Sequence, residues 1–192
     1  MDEKGTERQI VDAAYEAVAV YGITRLSLAD VAKRAHLSRQ TLYRYFPSKD
    51  DLLVAVVARE EQRFGNQISD ATRNAVTPRD ALRAAIVATL DGVRTHPLIE
   101  RLLETEPETL VPYLTVGTLP GPSTKEHLTR LLEHVMPEMS TEDSRRTADV
   151  LSRLITSSVL DPFDESPEEF ADWFVGLVFC GVMIASHRNS HA

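Results

Sequence analysis

Apolar residues recur along the chain at the three- and four-residue spacing of amphipathic helices, and the alternation typical of strands is nearly absent. The first stripe joins Ile10, Ala14 and Tyr21, and a glycine follows it, as is common at helix ends. A serine followed three residues later by an acid, as in Ser48 with Asp51, predicts a helix start. We therefore predict an all-α fold. The predicted helices cover residues 7–21, 28–35, 39–46, 49–72, 78–94, 97–104, 108–115, 124–136, 141–160 and 167–187.

Two short helices near the N-terminus have the pattern of a helix-turn-helix. Val31 on the first helix and Leu42 with Phe46 on the second form inward stripes, and the small Ala32 allows a close crossing. The second helix of this motif enters the major groove of DNA, and its outward side chains here suit base edges and phosphates. The predicted DNA-binding residues are Ser27, Arg39, Gln40, Thr41, Tyr43, Arg44, Tyr45 and Lys49.

Charge is concentrated in the same segment. The chain of 192 residues has a formal net charge of −8, yet residues 25–49 hold six basic side chains and one acid, Asp30. A local basic face attracts phosphate, while the overall acidity argues against a binder that coats DNA with positive charge. The alternative is an ordinary solvated surface on a small helical subdomain, and spacing alone leaves it open.

The segments Leu28–Ala35 (LADVAKRA), Leu37–Phe46 (LSRQTLYRYF) and Ser48–Leu52 (SKDDL) resemble the N-terminal domain of TetR-family transcriptional regulators. The resemblance spans roughly residues 7–53 and fades beyond them. One departure is His36, where the family usually has glycine in the turn, so we expect a slightly strained turn. The resemblance implies a homodimer with a ligand cavity in its C-terminal domain. We accordingly assign residues 1–48 to a DNA-binding domain and residues 49–192 to an effector-binding and dimerisation domain.

The final predicted helix is apolar on every side and therefore needs cover on every side. A second copy of the chain, bound through the last two helices, would provide it. The predicted dimer interface comprises Leu151, Leu154, Ile155, Phe170, Phe174, Leu177, Gly181 and Ile184. The alternative is a central helix that is covered entirely by its own subunit.

The middle of the chain is apolar and interrupted by prolines, which suits an irregular region around the cavity that the resemblance implies. The few charges there favour a hydrophobic effector, although core packing alone explains the same pattern. The predicted ligand-binding residues are Phe64, Ile68, Ile86, Leu90, Val93, Leu102, Leu103, Leu110 and Tyr113.

Other patterns lead to expectations of absence. His127 and His134 lie on one helix without a further ligand, so we expect no metal site, and we expect the single Cys180 to be a buried, inert thiol. We find no motif of a catalytic site or of a cofactor site, so we expect neither enzyme activity nor a cofactor. The longest apolar stretch, residues 173–185, is shorter than the roughly 20 residues of a membrane span. We expect a cytoplasmic protein without a membrane partner.

These observations predict a homodimeric transcription factor, most simply a repressor that a small hydrophobic effector releases from a palindromic operator. Two alternatives remain at this point. One is a ligand-independent DNA-binding regulator or activator, which a body packed without a cavity would favour. The other is an enzyme or a carrier of hydrophobic molecules, which DNA binding insensitive to salt would favour.

Overall fold

The computed structural model describes residues 3–109 and 124–189, and it describes side chains over residues 3–109 and 125–181. These residues form helices and connecting loops without a strand, so the predicted all-α fold is confirmed. The helix predicted over 108–115 lies largely outside the described residues. In chain order the helices are α1 (Glu3–Tyr21), α2 (Leu28–Arg34), α3 (Arg39–Tyr45), α4 (Lys49–Thr72), α5 (Pro78–Arg94), α6 (Pro97–Thr105), α7 (Thr124–Val135), α8 (Thr141–Leu160) and α9 (Pro167–Asn189).

Side-chain caps fix several of the helix starts that the sequence predicts. The Ser27 hydroxyl accepts the Asp30 N–H at 3.1 Å at the start of α2. At the start of α9, the Ser166 N–H donates to Glu169 Oε2 at 3.0 Å, and the Glu169 N–H donates back to Ser166 Oγ at 3.2 Å. This reciprocal pair satisfies two backbone donors that the helix itself leaves free. Helix α1 begins earlier than predicted, and its additional first turn buries Thr6.

The described residues divide into two compact units. The head unit comprises residues 3–63 and 95–109, and the body unit comprises residues 64–94 and 124–189. Helix α4 contributes its residues up to Arg63 to the head unit and the rest to the body unit. The predicted boundary after residue 48 divides the DNA-binding domain from the effector-binding and dimerisation domain. The two units are defined by packing and do not test it, so it stays a prediction.

The head unit is built around α1, α2, α3, α6 and the first half of α4. Ile10, Val31, Leu42 and Leu52 are fully buried in its core, and Leu102 of α6 packs among them. Small side chains such as Ala32, which is 1% exposed, let the short α2 approach its neighbours closely. The core therefore fixes which side of α3 faces solvent.

The body unit packs α5, α7, α8 and α9 around large aliphatic and aromatic side chains. Leu82, Ile86 and Leu90 form a fully buried stripe on α5. Across the unit, Arg83 on α5 pairs with Asp172 on α9, with Nε 2.6 Å from Oδ1. The aliphatic stripe and the ion pair together fasten α5 to the C-terminal helices.

The structure changes part of the predicted dimer interface. Four of its residues, Leu151, Ile155, Phe170 and Phe174, are at most 6% exposed and pack in the body unit's own core, so they do not form the outer face. The reason is that α8 and α9 pack against α5 and α7 on the side where the strongest apolar stripe lies. Leu154 is half-buried, Leu177 and Gly181 are exposed, and Ile184 lies outside the described side chains.

The expectation of a buried thiol is wrong, because Cys180 is exposed on α9. It lies three residues after the exposed Leu177, one helical turn away, and therefore shares the outer face of that helix. Within the described residues, no group of histidine, cysteine and acidic side chains is arranged to hold a metal ion. None of the described helices is long and apolar enough to cross a membrane.

Candidate nucleic-acid interface

The turn between α2 and α3 contains a residue in a left-handed backbone conformation. His36 has a φ of 54°, and the N–H groups of His36 and Leu37 donate to the carbonyls of Lys33 and Ala32 at 3.1 and 2.9 Å. This pair of bonds is the Schellman motif that ends many helices, and glycine is its usual left-handed residue. The expectation of strain at His36 therefore has a specific cause, which is a Cβ atom at a position that favours glycine.

Helix α3 presents a polar face to solvent from an apolar base. Leu42 is fully buried and Phe46 is 6% exposed, and these two anchors turn the opposite side of the helix outward. Tyr43 is 50% exposed even though it is aromatic. The four predicted DNA-binding residues that lie exposed on this face are Arg39, Gln40, Tyr43 and Arg44.

The other two predicted residues of α3 are half-buried and have partners within the chain. Thr41 shares a hydrogen bond of 2.8 Å between its hydroxyl and that of Ser38, and its N–H donates to the same Ser38 oxygen at 3.0 Å. Tyr45 packs at the edge of the head core, and the guanidinium carbon of Arg44 lies 5.3 Å from the centre of its ring. Thr41 therefore stabilises the helix start, and Tyr45 supports an arginine.

The two predicted residues outside α3 lie at helix starts. Ser27 caps α2, and its hydroxyl also donates to the Asp30 carboxylate. Lys49 is the first residue of α4, and its Nζ donates to the carbonyl oxygen of Thr24 at 3.3 Å. The start of α4 is closed by Ser48 and Asp51, whose hydroxyl and carboxylate oxygens are 2.6 Å apart.

Helix α1 holds the helix-turn-helix through contacts that the sequence analysis did not identify. Gln9 donates its side-chain amide to the carbonyl oxygen of Ala35 at 2.8 Å, which occupies an otherwise free acceptor at the end of α2. Arg34 pairs with Glu16 at 3.2 Å and lies 6.0 Å from the centre of the Tyr21 ring. These contacts orient α2 on α1.

A buried polar pair of His96 and Glu60 lies deeper in the head unit, and the sequence analysis did not identify it. His96 Nδ1 accepts the Ile99 N–H at 3.3 Å, so the other ring nitrogen carries the proton and donates to Glu60 Oε2 at 3.1 Å. Burial by itself would raise the pKa of Glu60. The hydrogen bond from His96 and the charges of Arg63 and Arg59 lower it by a larger amount, so the pKa lies below its ordinary value.

The predicted ligand-binding residues fall into different parts of the fold. Ile86 and Leu90 are fully buried in the body core, and Val93 packs against that core. Phe64 and Ile68 are half-buried on α4, and a Cβ atom on Gly92 would lie 2.6 Å from the Phe64 ring. Two further candidates, Leu102 and Leu103, pack in the core of the head unit instead. The last two, Leu110 and Tyr113, lie outside the described residues.

Comparison with known proteins matches two domain families. Residues 10–56 match the family described as bacterial regulatory proteins, tetR family. Residues 78–178 match the family described as bacterial tetracyclin repressor, C-terminal domain. The first match contains the whole helix-turn-helix, and the second contains most of the body unit.

Individual relatives agree with these matches. An HTH-type transcriptional regulator of Mycobacterium tuberculosis is 36% identical over 91 residues, which are 47% of this chain and 45% of the relative. The alignment thus spans about half the length of that curated relative. The crystal structure of the TetR family repressor AlkX from Dietzia sp., implicated in biodegradation of n-alkanes, has a TM-score of 0.68 at 24% identity and covers 92% of this chain and 95% of AlkX.

The regulator FadR from Bacillus subtilis, solved in complex with stearoyl-CoA, has a TM-score of 0.54 at 19% identity and covers 88% of this chain and 96% of FadR. At these identities the two solved structures establish the shared fold. Together with the two domain matches, which cover the head and the body separately, they show that this chain belongs to the TetR family of bacterial regulatory proteins.

Proposed function

We propose that this protein is a transcriptional repressor that binds a palindromic DNA operator as a homodimer and is released by a hydrophobic effector. The observation that carries the proposal is the exposed face of α3, where Arg39, Gln40 and Tyr43 project from an apolar base in a locally basic segment. Such a face matches the width and the hydrogen-bonding pattern of the major groove.

The side chains of this interface divide into base readers and backbone anchors. Arg39 and Gln40 lie in the first turn of α3, from which recognition helices contact base edges. Tyr43 and Lys49 carry donors suited to phosphate oxygens. Thr41 contributes to DNA binding by stabilising the start of α3 through its hydrogen bond with Ser38. Ser27 and Tyr45 stabilise the edge of the interface.

Dimerisation uses the outer face of α8 and α9. Trp173 and Leu177 are 60% and 57% exposed on successive turns of α9, and Val150 is 52% exposed on α8. A Cβ atom on Gly181 would meet no atom of the described residues within 4 Å, so the partner's backbone can approach closely there. Apolar side chains this exposed are typical of a surface that a partner covers. A two-fold dimer requires half-sites separated by one helical turn of DNA or a multiple of it.

The effector binds in the body unit, beside Val93, which packs against the fully buried stripe of α5, and beside Phe64 and Ile68, which are half-buried on α4. The apolar character of this region favours a ligand with a long hydrocarbon part. The stearoyl-CoA bound to FadR from Bacillus subtilis shows that the shared fold accommodates such a molecule in that protein. An operator-binding protein of this kind acts in the cytoplasm, where the bacterial chromosome lies.

Selection of duplexes from a random DNA pool with the purified full chain tests operator binding. We expect enrichment of a palindromic sequence and binding that weakens steeply with salt. We expect Arg39→Ala to weaken the enrichment, whereas Arg130→Ala, which removes an exposed arginine from α7, should leave it unchanged. Recovery of unrelated sequences by the wild-type chain would contradict the proposal.

Titration of stearoyl-CoA, with free CoA as the control, tests the response to an effector. We expect stearoyl-CoA to weaken operator binding and operator DNA to weaken stearoyl-CoA binding by the same factor, because coupling between two sites is reciprocal. Deletion of the gene should then raise transcription next to the selected sites. Equal operator affinity with both compounds would contradict the acyl class of effector, and unchanged or lower transcription would contradict repression.

A further inference from the structure

The loop that leads into α2, residues 22–26, is held by two opposite charges at a single residue. The N–H of Thr24 donates to Glu106 Oε2 at 2.9 Å, and the carbonyl oxygen of Thr24 accepts from Lys49 Nζ at 3.3 Å. An anion therefore fixes one side of this residue, and a cation contacts the other. The loop is itself anchored by Ile23 and Leu26, which are 8% and 4% exposed.

The backbone of the loop makes room for the Glu106 carboxylate. Gly22 has a φ of 78°, and a Cβ atom at this position would collide with the carboxylate of Glu106. The Gly22 N–H donates to the carbonyl oxygen of Val18 at 2.8 Å and so closes α1. The glycine is thus needed both for its backbone conformation and for the space beside it.

Glu106 reaches the loop from a fixed position in the same unit. It is the residue that ends α6, and its N–H donates to the carbonyl oxygen of Leu102 at 2.8 Å. Leu102 is 2% exposed in the head core. The contact with Thr24 joins residues 82 positions apart in sequence, so Glu106 ties α6 to the entrance of the helix-turn-helix.

We propose that Glu106 is a positioning residue for DNA binding, which acts through Thr24 on the phosphate-binding ammonium group of Lys49. The proposal rests on the DNA-binding function proposed above. Glu106 holds the N–H of Thr24, the carbonyl oxygen of the same residue directs one N–H of Lys49, and the two other N–H groups of that side chain are available to phosphate oxygens. An acid that merely lay near the interface would instead repel phosphate, which gives the opposite expectation for its removal.

Binding of a generic DNA duplex, measured by fluorescence anisotropy over a range of salt concentrations, tests this role without knowledge of the operator. We expect Glu106→Ala to weaken binding about three- to tenfold. It should also reduce the salt slope by about one unit, because one phosphate contact is no longer preorganised. Lys49→Ala should give a similar change. The double variant should bind no worse than Lys49→Ala alone, because both residues act on the same contact.

Conservative variants separate the hydrogen bond from charge and from folding. Glu106→Gln keeps an oxygen that accepts the Thr24 N–H and should bind DNA nearly as the wild type does. Glu106→Asp keeps the charge but shortens the reach, and it should behave like Glu106→Ala. Glu104→Ala removes an exposed acid two residues away on α6 and is the matched control, which should bind as the wild type does. Thermal unfolding of each variant identifies losses that come from the fold.

Several outcomes would overturn the positioning role. These are unchanged or tighter DNA binding by Glu106→Ala, an additive loss in the double variant, or equal losses in Glu106→Ala and Glu106→Gln. A wild-type chain that binds no duplex at all would instead overturn the proposed function itself. The positioning role alone would be overturned if the wild type binds duplex, Lys49→Ala weakens that binding and Glu106→Ala leaves it unchanged.

Discussion

The core of the head unit contains a larger share of alanines than the core of the body unit. In the head, Ala14, Ala17 and Ala32 are at most 1% exposed, and short helices pack closely over them. In the body, long helices pack through large residues such as Leu82 and Phe174. Small residues permit few arrangements of two short helices, whereas large flexible side chains fill many arrangements. The head therefore specifies a surface in detail, and the body specifies mainly a set of helices.

The largest expected effect is the loss of a large side chain from the body core. Ile86→Ala should lower the free energy of unfolding by about 2–5 kcal/mol, because Ile86 is fully buried and its removal leaves a cavity. Urea unfolding measures this change. Val76→Ala, at a side chain that is 90% exposed, is the control and should change the free energy little. An equal loss in both variants would contradict the assignment of Ile86 to the core.

A paired substitution tests the contrast between the two cores directly. Ala32→Leu in the head adds volume where α2 has none to spare and should cost about 1–3 kcal/mol. Leu90→Met in the body conserves volume and should cost less than about 1.5 kcal/mol. Urea unfolding measures the loss of stability in both variants. A greater loss for the methionine variant would show that close packing does not distinguish the head.

The turn of the head offers a stabilising change. His36→Gly should raise the free energy of unfolding by up to about 1 kcal/mol, because a left-handed backbone costs a residue with a Cβ atom more than it costs glycine. The matched control is His134→Gly in the last turn of α7, where a right-handed helix makes glycine unfavourable, so the sign should reverse. The midpoint temperatures of thermal unfolding of the wild type and both variants measure these changes. A loss of stability in both would indicate that His36 is not strained.

The smallest expected effect is a change in the stability of the body unit with pH. Hydrogen bonds from Arg153 and Lys125 hold the pKa of Asp149 at about 2, below its ordinary value of 3.8. A lowered pKa stabilises the folded state above the ordinary value, and this contribution is lost as the pH falls from about 4 towards 2. The difference in thermal midpoint between the wild type and Asp149→Asn should therefore shrink over that range. High salt should also reduce it, because Arg153 is exposed and Lys125 and Asp149 are partly exposed. A difference that stays constant with pH would contradict this.

Much of the fold follows from local patterns in the sequence. The bounds of α4, α5 and α8 agree with the prediction at both ends, because caps and apolar periodicity act within one or two helical turns. The exposed face of α3 follows from the two inward residues Leu42 and Phe46 in the same way. Helical spacing thus determines which residues a helix presents to solvent once its anchors are known.

Contacts between distant parts of the chain were not predictable in the same way. The contacts Gln9–Ala35, Glu60–His96 and Thr24–Glu106 join residues 26, 36 and 82 positions apart, and no local pattern relates their partners. The sequence also did not determine which side of α8 and α9 faces the chain's own core, because α9 is apolar on every side. The predicted dimer surface was therefore partly placed on core residues, and Cys180 was placed inside.

The central claim is that α3 reads bases while Lys49 holds the DNA backbone, and one comparison tests it most directly. Affinities of Arg39→Ala and Lys49→Ala for the selected operator and for a scrambled duplex should be measured at one salt concentration. We predict that Arg39→Ala lowers the preference for the operator by about 1–3 kcal/mol and that Lys49→Ala weakens both duplexes equally. Loss of preference in Lys49→Ala, with preference intact in Arg39→Ala, would contradict the account.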